Sequence, residues 1–226
     1  MLRKHIPNFL TLLNLLSGCM ALLLIMQSEE VGATIFIGFS LIFDFLDGSL
    51  ARLLKAGSET GKQLDSLADM VSFGVVPGFL MYSIIGDACI SAGMTASECG
   101  FLSYSAFLIP LFSALRLARF NTDESQQKEF KGLNTPAATI FVASIPIILK
   151  YYPDSVWAIS IFSKPLFIVL LNLGLSTMLI IPQRMVSLKF HTFSISNNIH
   201  ILKLTKPQKP LLIWGNYFLK SLWTTH

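Results

Sequence analysis

The residues best placed to do chemistry are Asp44, Asp47, Asp65 and Asp69, all within the stretch DFLDGSLARLLKAGSETGKQLDSLAD that spans 44–69. Asp44 and Asp47 are three residues apart, and Asp65 and Asp69 are four apart, so each pair shares one face of a helix. Two antiparallel helices joined by a short charged turn bring the pairs together. Four carboxylates at such range repel one another, and divalent cations relieve that repulsion. Hard carboxylate oxygens suit Mg²⁺ or Mn²⁺, and paired ions clamp phosphoryl oxygens in an in-line displacement. The neighbours fit this chemistry. Gly48 and Gly61 leave bare backbone where a flat or phosphorylated ligand approaches. Ala51 keeps the adjacent face small, and Arg52 offers a planar fork for phosphate.

A competing reading makes the stretch a structural ion cluster, with the aspartates paired to Arg52, Lys55 and Lys62. That reading has to account for eight fixed identities at once. A chance match at this composition is on the order of 10⁻⁹, which favours a functional motif.

The surroundings are those of a membrane protein. The chain of 226 residues is 53% hydrophobic and 13% charged, with a mean hydropathy of +0.62. Soluble domains carry about 25% charged residues. The net charge of +4 is spread between apolar runs rather than gathered in a patch, which argues against nucleic acid as a partner. About 20 apolar residues span a bilayer as a helix. Six stretches qualify, Phe9–Gln27, Val31–Leu54, Leu64–Ile85, Phe101–Phe120, Thr135–Tyr152 and Val156–Ile181. The first is read as a span and not as a cleaved signal, because no small-residue cleavage site follows it. The expected fold is therefore an all-α integral membrane bundle of about six transmembrane helices.

Basic residues mark one side of this bundle. Arg3 and Lys4, Arg52 to Lys62, Arg116 to Lys131, and Arg184 to Lys209 fall in alternate connections or the tail. Glu29, Glu30, Asp87, Glu98 and Asp154 fall in the others, with Lys150 the main exception. The positive-inside rule places both termini and the aspartate stretch in the cytoplasm. Residues 1–186 read as one membrane domain. Residues 187–226 read as a basic cytoplasmic tail whose lysines attract anionic lipid headgroups, with a short apolar run at 211–223. Cys19 is expected to pack within the first span. Cys89 and Cys99 share a predicted external loop, where either a disulfide or two free thiols is chemically open. Pro77, Pro110, Pro146 and Pro165 are expected to kink the spans.

The pattern Asp44-x2-Asp47-Gly48-x2-Ala51-Arg52-x8-Gly61-x3-Asp65-x3-Asp69 resembles, at every position, the signature of the CDP-alcohol phosphotransferases. Four further segments resemble the bacterial and archaeal branch that uses serine, the phosphatidylserine synthases. They are IPNFLTLLNLLSG from Ile6, LDSLADMVSFGVVPG from Leu64, ALRLARFN from Ala114 and FKGLNTPAA from Phe130. With SLKF from Ser187, the similarity covers roughly the first 190 residues. Asn134 departs from it, standing where a proline is expected. The resemblance implies a bundle of six helices with its site at the cytoplasmic face of a bacterial inner membrane, and a homodimer. It implies CDP-diacylglycerol and L-serine as substrates among membrane lipids, with CMP released. Asp44, Asp47 and Asp65 become ligands for two divalent metal ions. Asp69 becomes the general base with some metal contact, and Gly48, Ala51, Arg52 and Gly61 form the nucleotide end.

The acceptor's site is sought elsewhere. Arg116 and Arg119, three residues apart, are read either as interfacial anchors or as groups that hold a carboxylate or phosphate. Asn121 and Lys131 are further candidates. No His-x-Lys-x4-Asp motif begins at any of the four histidines, so direct displacement is preferred over a phosphatidyl-histidine route. A sibling enzyme with glycerol 3-phosphate or an inositol phosphate as acceptor would need more cationic side chains. A cation transporter would spread its carboxylates along a pore, and a prenyltransferase would split them between distant loops.

Overall fold

The computed structural model describes residues 5–122 and 133–181. These form helices without a strand among them. In chain order they are α1 (His5–Met26), α2 (Glu30–Leu53), α3 (Glu59–Met70), a π-turn (Val71–Val75), α4 (Val76–Ser91) and α5 (Ala96–Ser103). A 3₁₀ turn (Tyr104–Phe107), α6 (Leu108–Thr122), α7 (Thr135–Tyr151), α8 (Val156–Phe162) and α9 (Pro165–Ile180) follow. Four helical runs are long and apolar enough to cross a membrane: His5–Met26, Glu30–Leu53, Glu59–Ser91 and Ala96–Thr122. That is the pattern of a multi-pass membrane protein. Thr135–Tyr151 and Pro165–Ile180 are apolar but shorter.

The boundaries follow from local chemistry. Ser58 caps α3 by accepting from the Gly61 N–H at 3.0 Å. Thr95 and Glu98 form a reciprocal capping box on α5. α2 closes with Ala56 N–H on the Ala51 carbonyl at 3.0 Å and Lys55 N–H on the Arg52 carbonyl at 3.3 Å. Lys55 takes φ 50° to make that closure, a left-handed position usually given to glycine.

The prolines act at breaks more than at kinks. Pro77 follows the π-turn and Pro110 follows the 3₁₀ turn, so both stand where the regular ladder is already interrupted. Pro165 does more. The expected span Val156–Ile181 is divided into α8 and α9, because proline has no N–H and forces the preceding Lys164 to an extended conformation (φ −99°, ψ 103°). Only Pro146 lies inside a helix in the expected way. The predicted external loop carrying Cys89 and Cys99 is also mostly helical: the two lie on α4 and α5, and both are free thiols. Cys19 is exposed on α1 and not packed inward as expected. The tail from 187, its apolar run at 211–223, and Lys131 lie outside the described residues.

α4 is the central element. Val76, Leu80, Met81, Ile84, Ile85, Ala88 and Cys89 are all in the core, and α1, α6, α7 and α9 pack around them. A helix apolar on every side has no preference for a solvent face, and burial is its stable place. By contrast α1 and α2 each turn one apolar stripe outward, as with Phe9, Leu12, Leu16 and Leu23, and Ile35, Phe39 and Ile42. Spacings of three and four make these lipid-facing stripes. α1 packs along both α2 and α3, and the latter two touch α1 more than each other.

Small residues permit the closest approaches. A methyl group on Gly78 would lie 2.7 Å from Pro110 Cδ, and the proline ring cannot swing away. Gly78→Ala is therefore expected to destabilise the bundle by about 1–3 kcal/mol, read as a lower thermal midpoint in detergent.

Candidate active site

Carboxylates from α2 and α3 converge as the spacing predicts. Asp44, Asp47 and Asp65 each offer an oxygen within 4.8 Å of the others. Asp47 is buried, and Asp44 and Asp65 are half-buried. Two full charges at that distance repel by about 3 kcal/mol at an effective dielectric of about 20. Among the described residues, the cations nearest these three carboxylates are engaged elsewhere. Arg52 donates its Nε to the Gly48 carbonyl at 3.0 Å, and Lys62 reaches the Asn121 carbonyl at 3.5 Å. Among the described residues, no lysine or arginine forms an ion pair with the four aspartates. The structural ion cluster is thereby set aside. Three hard oxygen donors left without a cation partner are a donor set that fits a metal ion.

Asp69 stands apart from the group of three. Its Oδ1 accepts a hydrogen bond from Asn14 Nδ2 at 3.3 Å. Asp47 Oδ2 in turn accepts from Thr11 Oγ1 at 2.6 Å. Both donors come from α1, which the signature does not include.

Two cavities meet at these carboxylates. The first, of about 210 Å³, is lined by Asp47, Gly48, Ala51, Gly61, Lys62 and Asp65, with Pro7, Asn8 and Thr11 from α1. A methyl group on Gly48 would meet nothing within 4 Å, so this backbone is open to a ligand. Gly61 is crowded instead: a methyl group there would come within 3.0 Å of both Asn8 Oδ1 and the capping Ser58 Oγ. Arg52 is exposed and is not part of the lining, because its side chain is turned to its own helix. The second cavity, of about 120 Å³, is lined by Lys62, Asp65, Ser66, Asp69, Arg116 and Asn121, with Asn134 and Thr135. Lys62 and Asp65 belong to both, forming a common wall.

The acceptor candidates separate here. Arg116 is buried, lines the second cavity, and has an Nε without a hydrogen-bond partner. Arg119 is exposed and lies outside that lining. A step of three residues turns a helix by about 300°, and the remaining offset of about 60° puts the two on different sides of the α6 edge. Asn121 lines the cavity, but its amide donates to Ser66 Oγ at 2.8 Å and fastens α6 to α3. Thr11, Asn14 and Lys62 were not among the expected site residues. A signal for the first two was present. Asn8, Thr11, Asn14 and Ser17 recur every third residue in an otherwise apolar span, and the last three are buried.

The model of the CDP-alcohol phosphatidyltransferase family matches residues 4–179. The chain belongs to that family. Among its relatives is a Helicobacter pylori protein named CDP-diacylglycerol–serine O-phosphatidyltransferase, 37% identical over 138 residues, which are 60% of this chain and 54% of the relative. Proteins of the same name from Bacillus subtilis and Methanocaldococcus jannaschii are 34% and 37% identical. The matches cover 60% and 69% of this chain, and 71% and 68% of those relatives. The chain thus spans about half the length of the first relative and about two thirds of the others.

The hydroxyl of Thr11 orients Asp47, and such supporting bonds carry weight at a metal site. Thr11→Val is expected to weaken Mn²⁺ binding roughly 10–100-fold, measured by titration of the purified protein under electron paramagnetic resonance. The change also removes a hydrogen bond to a buried carboxylate, so the thermal midpoint should fall by the equivalent of about 1–3 kcal/mol.

Proposed function

We propose that the chain transfers the phosphatidyl group of CDP-diacylglycerol to the hydroxyl of L-serine, giving phosphatidylserine and CMP. The observation that carries this reading is the common wall: two cavities of different size share Asp65 and Lys62, so two substrates can meet there. The larger cavity, with its open backbone at Gly48, suits the nucleotide end of the donor, and Ala51 and Gly61 complete it. The smaller one holds opposite charges in a small volume, which suits a zwitterionic amino acid. Names of the relatives support serine as the acceptor.

Asp44, Asp47 and Asp65 would hold Mg²⁺ or Mn²⁺, as two ions with Asp69 at the edge. When bound, the ions supply positive charge to the pyrophosphate oxygens and to the departing CMP. Arg116, with its buried and unpaired Nε, binds the serine carboxylate. Asp69 takes the hydroxyl proton as the serine oxygen bonds to the β-phosphorus and the phosphorus–oxygen bond to CMP breaks. No covalent enzyme intermediate is needed.

The same reading includes the finer topology. Six spans follow from hydropathy, a cytoplasmic N-terminus and a site facing the cytoplasm follow from the charge alternation, and the bacterial inner membrane is what the family resemblance implies. Arg119 serves as an interfacial anchor, and Arg52 stays assigned to the nucleotide end beside Gly48. A homodimer completes the proposal.

The test is direct. Purified protein given CDP-diacylglycerol, Mn²⁺ or Mg²⁺ and labelled serine should release CMP and form phosphatidylserine. Product from glycerol 3-phosphate but not serine would assign a different acceptor. Asp69→Asn should lose turnover while still binding the CDP-lipid, and near-normal activity in that variant rules out the base assignment. Arg116→Leu should raise the KM for serine at least tenfold, because a hydrogen bond to a charged group contributes about 1.5–3 kcal/mol, with the KM for CDP-diacylglycerol unchanged.

A further inference from the structure

Asn14 is fully buried on α1 and makes contacts to both carboxylate-bearing segments. Its Nδ2 donates to Asp69 Oδ1. Its main-chain carbonyl accepts from Ser40 Oγ at 3.2 Å and from Ser72 Oγ at 3.1 Å. Ser40 lies one turn before Asp44 on α2, and Ser72 lies three residues after Asp69 in the π-turn. One residue of α1 therefore ties the backbone region of each carboxylate pair to the same point. Gly18, the next turn of α1, lets Ser72 come this close, since a methyl group there would sit 2.5 Å from Ser72 Oγ. Asn14 itself lines neither cavity.

The side chain has a defined direction. Asn14 Oδ1 is buried with no hydrogen-bond partner. The amide's orientation is set by Asp69 alone, because turning it over would press that oxygen against a carboxylate oxygen. A buried polar atom left unpaired costs roughly 1–3 kcal/mol, so the arrangement runs against stability and asks for another reason.

We propose that Asn14 is a positioning residue for the transfer: its amide engages Oδ1 of Asp69 and leaves Oδ2 as the oxygen presented to the acceptor hydroxyl in the smaller cavity. The carboxylate is thereby held in one rotamer with one oxygen aimed at the substrate. Free rotation about the carboxyl bond would offer either oxygen at an unfixed angle, and geometry of this kind governs proton transfer. The proposal rests on the reading of Asp69 as the base.

The experiment compares Asn14→Leu, Asn14→Ala, Ser40→Ala and Asp69→Asn in the full-length protein. It measures steady-state transfer, Mn²⁺ binding by titration, and thermal midpoint. Leucine matches asparagine in shape and removes the unpaired oxygen, so it keeps the test open should the alanine variant fail to fold. The expected result is a fall in kcat of roughly 10–100-fold in the Asn14 variants, with the KM values and Mn²⁺ affinity unchanged. Ser40→Ala should lower the thermal midpoint and leave kcat alone. Asp69→Asn inactive with Asn14→Leu at full kcat overturns the positioning role and spares the base assignment. Activity in Asp69→Asn removes the base assignment first. A parallel loss of kcat, Mn²⁺ affinity and midpoint in Asn14→Leu, or an equal kcat loss in Ser40→Ala, marks Asn14 as a packing residue and overturns the proposal.

Discussion

The structure depends on bringing Asp44, Asp47 and Asp65 within 4.8 Å of one another, with no lysine or arginine among the described residues ion-paired to them. Left alone, that arrangement opposes folding, since each close pair repels and each carboxylate loses water. The helices must be held in place by something stronger. α1 supplies it, packing along α2 and α3 at once and donating hydrogen bonds to Asp47 and Asp69. Its other face is apolar and turned to lipid. The same helix therefore anchors the bundle in the membrane and holds the acids in register.

This division of labour explains where the cations lie. A lysine or arginine placed against the aspartates would relieve the strain and fill the space that the carboxylates leave open to a metal ion. Arg52 is instead folded onto its own helix, and Lys62 reaches a carbonyl across the wall between the cavities. Among the described cations, Arg116 is buried beside Asp69 with an Nε that has no hydrogen-bond partner. Stability is given up locally, and the large apolar core around α4 carries the loss.

The π-turn at Val71–Val75 belongs to the same economy of positions. It begins two residues after Asp69, and its Phe73 carbonyl accepts from Thr139 on α7 at 3.2 Å, while Ser72 turns back to α1. The wider turn gives the run Glu59–Ser91 contacts on both sides, so the half that carries carboxylates and the half that forms the core keep separate alignments.

Much of this was legible beforehand because it rests on local periodicity. Spacings of three and four placed each acid pair on one face, hydropathy marked the helices, and the pattern of eight identities pointed to phosphoryl transfer. Where the reading departed from the structure, the cause was a property that no window of sequence holds. Arg116 and Arg119 looked equivalent until the α6 edge separated them by a sixth of a turn. The span Val156–Ile181 looked continuous by hydropathy, although the backbone rule at Pro165 divides it. The sequence by itself determined the helical membrane character and the chemistry of the carboxylates, because both follow from residue type and nearest helical neighbours. Only the tertiary structure decided that Thr11 and Asn14 support the acids and that Asp65 and Lys62 divide two cavities. Those contacts join residues 36 to 55 positions apart, and their partners are chosen by how helices pack, not by what stands beside them in the chain.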